Sequence, residues 1–292
     1  VAEVSLRHRL AERGVDRTLL LLLPAVVLIV GLFLYPFLYG LQLSFTPKTS
    51  GIFDNYRTFF SDPFQSETIW LTLRLALPAA LFNVLASVPI AYKMRGRFRG
   101  KRLLTAILVV PITLGTVLTA EGLLTYLGNA GWMNRTLEAV GLIDEPIRFV
   151  PGYWGVLLSL VITGFPFAFL LTLSYLSGID PTLERAAATL GAGWWERFRR
   201  ITLPLLMPGL AVTFCLAFVL AFSVFPSAVM VGEPSGETHV ISLAAYRAGW
   251  EQYDYPLASA IAMVMGGVEL AVVGLVLAVR SRLYRGSSGG KG

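Results

Sequence analysis

The chain has 292 residues, 55% of them hydrophobic and only 14% charged. A soluble domain carries about a quarter charged residues, so the composition argues against a soluble protein and for a chain that crosses a membrane several times. The net charge of +6 then reads as an orientation signal rather than a nucleic-acid footprint, and the lone Cys215, inside an apolar run, excludes an internal disulfide and reads as a small packing residue.

Residues 1–18 are expected to form a cytoplasmic tail. It carries Arg7, Arg9, Arg13 and Arg17, with Leu6 and Leu10 on one side of a short interfacial helix. The apolar run Leu19–Leu41 is too long for a signal-peptide core, lacks a convincing cleavage site, and predicts a first membrane helix. Five further runs are long enough to cross a ~30 Å hydrocarbon core: Ile69–Tyr92, Leu103–Leu127, Tyr153–Leu176, Leu203–Val229 and Pro256–Val279. Residues 19–284 thus make one all-α, six-helix membrane domain, and 285–292 a flexible tail.

The basic residues orient these spans. Eighteen of them fall in the N-terminal tail, the second and fourth connections and the C-terminal tail, against five in the other three connections. Both termini are therefore expected in the cytoplasm. The external connections are Phe45–Glu67, Gly128–Val150 with an amphipathic piece Met133–Val140, and Gly232–Tyr255 with a short helix Ser242–Ala248. They read either as a lip for an external protein or as solvated connectors. Asn134-Arg135-Thr136 matches a glycosylation sequon, a triplet common by chance.

The fourth connection, Asp180–Pro204, has the strongest local signals. Asp180 suits an N-cap and Pro181 the first helical position. Leu183, Ala186, Ala187 and Leu190 share one side of a short alanine-rich helix, and Gly191 permits a turn. Trp194–Ile201 is aromatic and basic, and Pro204 opens the next span. A small-residue helix followed by a turn suits a groove on another protein.

This stretch resembles the signature loop of the membrane subunits of ATP-binding-cassette (ABC) importers. That signature runs Glu-Ala-Ala, three residues, Gly, nine residues, then Ile-x-Leu-Pro, and Ala186, Ala187, Gly191, Ile201, Leu203 and Pro204 stand at its positions. Arg185 stands where the family usually has glutamate, with Glu184 one place earlier as a possible replacement for the acidic contact to the ATPase. Tyr35-Pro36 followed by Ser44-Phe45, and the six-span layout, also fit. Leu190 before Gly191, then Ala192, resembles the branch that handles polyamines, ferric iron, sulfate and thiamine more than the sugar branch, and Tyr126–Phe149 most resembles the spermidine/putrescine permeases. The resemblance implies a type I importer fold in a bacterial or archaeal cytoplasmic (inner) membrane. It also implies a second, homologous permease subunit, two ABC ATPase subunits and an external substrate-binding protein, with membrane lipid around the whole. The expected docking residues are Glu184, Arg185, Ala186, Ala187, Gly191, Ala192, Ile201, Leu203 and Pro204.

No phosphate-cradling loop is present. The stretch Gly96–Arg102 has the wrong spacing for one, so ATP and Mg are expected on the partner ATPase, and no cofactor, metal or nucleic acid on this chain. Candidates for the translocation path are Glu269, Glu121, Asn83 and Ser223, with Phe222 and Phe225 beside Pro226 reading either as gate residues or, as aromatics in membrane bundles more often are, as packing or lipid contacts. Glu269 either lines a wet path or pairs with a polar neighbour. Arg74 and Glu121 read equally as interfacial anchors, a mutual ion pair or substrate contacts. By the resemblance a polyamine is the expected solute, and it would suit Glu121 or Glu269, because a cation in low dielectric needs a counter-charge; Arg74 would suit an anion equally well, and ferric iron, sulfate, thiamine or a sugar stand as alternatives. A stand-alone secondary transporter would need inverted repeats, which the sequence lacks. A membrane enzyme would need clustered acid–base groups, yet His8 and His239 fall on opposite sides.

Overall fold

The computed structural model describes residues 21–48, 51–96 and 100–284. The expected tails and the middle of the second connection lie outside these residues. The described residues form helices α1 (Leu23–Ser44), α2 (Asp54–Ser61), α3 (Pro63–Arg95), α4 (Lys101–Leu127), α5 (Trp132–Ala139) and α6 (Tyr153–Ser177). These are followed by α7 (Pro181–Thr189), α8 (Trp194–Phe222), α9 (Pro226–Met230), α10 (Ile241–Tyr246) and α11 (Tyr255–Tyr284). Six of them, α1, α3, α4, α6, α8 and α11, are long and apolar enough to cross a membrane.

The six divide into two sets. In α3, α6 and α8, 50%, 39% and 44% of the most apolar window is buried, against 0%, 6% and 11% in α1, α4 and α11. Apolar side chains gain nothing by hiding from lipid, so the inner three are held by close packing and buried hydrogen bonds. Ser87 and Thr172 hydroxyls meet at 2.8 Å between α3 and α6, and Asn83 Nδ2 donates to the Leu160 carbonyl at 3.2 Å. Gly209 of α8 lets the Tyr175 ring lie against its backbone: a Cβ there would stand 2.4 Å from the ring. Cys215 is buried in α8.

At 33 residues, α3 outreaches every expected span. At ~1.5 Å per residue it is about 50 Å long, so both ends stand outside the hydrocarbon. Charge ended the expected run at Ile69 and Tyr92, but the helix continues through Glu67 at one end and Lys93 and Arg95 at the other.

The expected span Leu203–Val229 is corrected at both ends. The helix begins at Trp194, passes through a π-helical turn at Phe198–Thr202, and stops at Phe222. Pro226, which has no N–H to offer the Phe222 carbonyl, starts a separate short helix, and Phe225 before it departs from helical geometry with φ −134°. Of the external connections, Gly232–Tyr255 is not a solvated loop: Val240, Ile241, Leu243 and Ala244 are buried, and the Ile241 N–H donates to Thr72 Oγ1 at 2.9 Å. Asn134 is fully buried and bonds Gly128 and Ile147 of its own connection, so the sequon is a structural staple.

Within α4, Gly115 breaks the helix with φ 72° and ψ 178°. Only glycine occupies this region without strain, and side chains there cost about 1–3 kcal/mol. Gly115→Val is expected to lower the melting temperature of the purified protein in detergent by several degrees. Gly122→Ala, at a helical site with no atom within 4 Å of the added Cβ, is expected not to lower it.

Candidate functional site

The cytoplasmic loop is built as its sequence suggests. Asp180 Oδ1 accepts the Thr182 N–H at 2.8 Å, which caps α7; the Thr182 hydroxyl first, and this N–H second, hold the Asp180 carboxyl below its usual range. Pro181 fills the first helical position, where its missing N–H costs nothing. The chain turns after the helix at Gly191, with φ 87°, and the Ala192 N–H closes the turn by donating to the Ala187 carbonyl at 3.0 Å. Leu190, just before the turn, is 88% exposed. Ile201, Leu203 and Pro204 carry the backbone onward through the π-helical turn into the membrane part of α8.

What ties the loop to the bundle is Glu184. Its carboxylate accepts a 2.9 Å hydrogen bond from the Arg95 guanidinium, a bond from the Thr202 hydroxyl and a longer one, 3.4 Å, from the Tyr92 hydroxyl. The other arm of Arg95 donates to the Ile179 carbonyl at 2.9 Å. The Arg95 and Glu184 side chains are only 13% and 17% exposed. One carboxylate thus joins the end of α3, the middle of α7 and the π-helical start of α8. Tyr92 also packs edge-on against Phe198 at 5.1 Å, and Trp194 stacks on Phe198.

Glu184 was expected to face a partner in place of the residue at 185; it is instead turned inward. Successive helical residues are rotated by about 100°, so the two side chains occupy different faces of α7. Arg185, Ala186, Gly191, Leu183 and Leu190 are exposed, whereas Ala187, Ala192 and Ile201 are half-buried and Thr202 is buried. The brace escaped sequence reading because Arg95 was one of many basic residues in a connection whose charge already had a use. Its signal is the pairing of a helix-end arginine with an acid on the inward ridge of α7.

Arg95→Ala leaves a mostly buried carboxylate without its cation. Removing one partner of such a pair costs about 2–4 kcal/mol of local stability. Faster amide exchange over residues 180–202 is expected, with partial recovery in the swap Arg95→Glu with Glu184→Arg.

On the translocation side the structure joins some candidates and separates others. Ser223, at the broken end of α8, donates to Glu269 Oε1 on α11 at 2.9 Å. Phe225 packs against Tyr246 at 5.0 Å, and both line an apolar groove of about 820 Å³ with Tyr39, Trp250 and Tyr255. Residues 255, 259, 262, 266 and 269 follow one face of α11, so the groove and the carboxylate share that face. Asn83 and Phe222 do not join them. Asn83 is 2% exposed and packed into the α3–α6 seam against Gly164, and Phe222 is wholly buried beside Phe218. Both serve packing because they point into the bundle of this chain. Glu121 is exposed on α4. Among the described residues it makes no ion pair with Arg74, whose guanidinium instead lies over the Tyr153 ring, 5.7 Å from its centroid.

At the external end, a depression of about 750 Å³ is lined by Glu67, Arg74, Arg148, Glu233, Glu237 and His239, among others. His239 is 3% exposed and stacks on Phe64, with ring centroids 4.2 Å apart. Burial, reinforced by Arg247 and opposed by Asp62, lowers its pKa to about 4. The imidazole is therefore neutral in the folded protein, while the unfolded chain takes up a proton below about 6.5. Its contribution to stability is complete above that pH, falls with pH down to about 4, and is gone below. The melting temperature of the wild type is expected to fall more steeply between pH 6.5 and 4 than that of His239→Phe, which keeps the stacking and removes the titration.

The family described as "binding-protein-dependent transport system inner membrane component" matches residues 18–284. A probable sulfate transport system permease protein of Prototheca wickerhamii is 32% identical over 216 residues, covering 74% of this chain and 83% of that protein. A molybdenum transport system permease protein of Escherichia coli is 33% identical over 189 residues, covering 64% and 80%. A spermidine/putrescine transport system permease protein of Haemophilus influenzae is 29% identical, covering 68% and 72%. Among solved structures, a bacterial alginate ABC transporter, in complex with its pentasaccharide-bound periplasmic protein, superposes with a TM-score of 0.80 at 24% identity, over 96% of this chain and 98% of that one.

Proposed function

This chain belongs to the family of binding-protein-dependent transport system inner membrane components, the multi-pass permease subunits of ABC importers, and we propose that it forms half of a path for a small inorganic oxyanion. In this reading an external binding protein delivers the solute, and a second permease subunit completes the path. Two separate subunits hydrolyse ATP with Mg in the cytoplasm and grip residues 180–204. The observation that carries the role is the loop itself: α7 is held to the bundle on one side by Glu184 and presents Leu190 to the cytoplasm on the other. A displacement imposed on α7 reaches α3 through Arg95 and α8 through Thr202 and Pro204, so that alternating access follows as motion of packed helices.

The solute class rests on the relatives. Sulfate and molybdenum permeases match at 32% and 33% identity, and the polyamine expectation is not singled out among them. One feature favours a polyamine as the second reading: Glu269, a counter-charge for a cation, lies on the same face of α11 as the aromatic groove.

The test is uptake by the complex purified with its ATPase and binding protein and reconstituted in vesicles. ATP-dependent accumulation of sulfate or molybdate, and not of spermidine, is expected; spermidine uptake alone would favour the second reading. Gly191→Ile forces a branched side chain to positive φ. It is expected to leave ATP hydrolysis running while uptake falls at least tenfold.

A further inference from the structure

We propose that the cytoplasmic subunit gripping α7 presents a carboxylate to Arg185. This rests on reading residues 180–204 as the docking loop, and adds the charge that the partner's groove must carry. The Glu184 carboxylate is the one acid of the α7 helix. Three donors from α3 and α8 already engage it. It is therefore not available to an outside cation.

The outward ridge of the helix carries the opposite charge. Pro181, Thr182, Arg185, Ala188 and Thr189 lie on it at three- and four-residue spacing, and all are exposed. Arg185 makes no ion pair among the described residues; its one bond is a 3.5 Å contact from Nε to the Pro181 carbonyl. Of the other acids of the loop, Asp180 is turned to the Thr182 N–H as a cap, and Glu196 is paired with Arg200 at 3.0 Å. The ridge offered to a partner is thus Arg185 among small side chains, with Leu183 and Leu190 exposed farther round the helix.

A groove that closes over this ridge removes the Arg185 guanidinium from water. A buried guanidinium without an acceptor is costly, and its planar fork is best met by a carboxylate. A basic groove would repel it, so the same residue selects against cytoplasmic subunits whose grooves carry a cation at this point. Arg185 is in this sense a specificity-determining residue, and Glu184 beside it a structural one, though the two are adjacent.

The experiment uses the complex of this chain with the ATPase subunits that purify with it. In Arg185→Lys, a zero-length carbodiimide should couple the new amine to an aspartate or glutamate of the ATPase, identified by mass spectrometry. Arg185→Glu should lower solute-stimulated ATP hydrolysis at least tenfold, and reversing the charge of the cross-linked acid should restore it. A cross-link confined to Asp180 of this chain, no cross-link at all, or full activity of Arg185→Glu overturns the proposal. Loss of the docking reading itself shows differently: no ATPase would purify with the wild-type chain.

Discussion

A carboxylate that is largely withdrawn from water must be paired, and in this protein that requirement fixes the cytoplasmic face. Glu184 satisfies it with Arg95, Thr202 and Tyr92, which come from helices far apart in the chain. The bond energy matters less than the geometry it imposes. A half-buried ion pair is a weak source of net stability but a strong determinant of register, because a misplaced partner leaves a charge unpaired. The loop therefore has one seating on the bundle, and Leu190, Ala186 and Arg185 point away from it.

The membrane part obeys a different constraint. Lipid supplies no hydrophobic drive for helices to associate, so the inner helices are recognisable by their small residues and buried hydroxyls: Ser87 against Thr172, Ser159 against Ser227, Gly209 under Tyr175. The outer helices lack such features over most of their length. The first span is fixed mainly at its external end, where Ser44 is buried and bonded to Tyr56 and Asn55. The faces of α1, α4 and α11 left open by this chain are where lipid or neighbouring subunits must lie, and Glu269 is on one of them.

Much of this was legible in the sequence. Span number followed from apolar run length, and the cap and turn of α7 from Asp180, Pro181 and Gly191, because these depend on neighbours a few residues away. Two kinds of feature were not legible. Helix ends driven by backbone geometry, such as the extension of α3 to Arg95 and the stop of α8 at Phe222, are hidden from a hydropathy window. Contacts between distant segments, such as Glu184 with Arg95 or Ile241 with Thr72, have no local signature. Asn83 and Phe222 illustrate the same limit from the other side: polarity and aromaticity mark a residue as unusual in a span, but only the rotation of its helix decides whether it meets a partner helix or open space.

The length of α3 connects these observations. One helix carries Phe64, which stacks on His239, and Glu67 at the external depression; Thr72 under α10; Asn83 and Ser87 in the inner seam; and Tyr92 and Arg95 in the brace. Pro78 and Pro89 interrupt its hydrogen bonding without ending it. A displacement at one membrane face therefore meets, within a single secondary-structure element, contacts that belong to the other. Packed interfaces of this kind have few alternative arrangements and do not deform continuously. The Arg95–Glu184 pair joins the cytoplasmic end of that helix to the loop, and so the inward acid and the outward base of α7 have different surroundings: the first is held within the bundle, and the second is open to water.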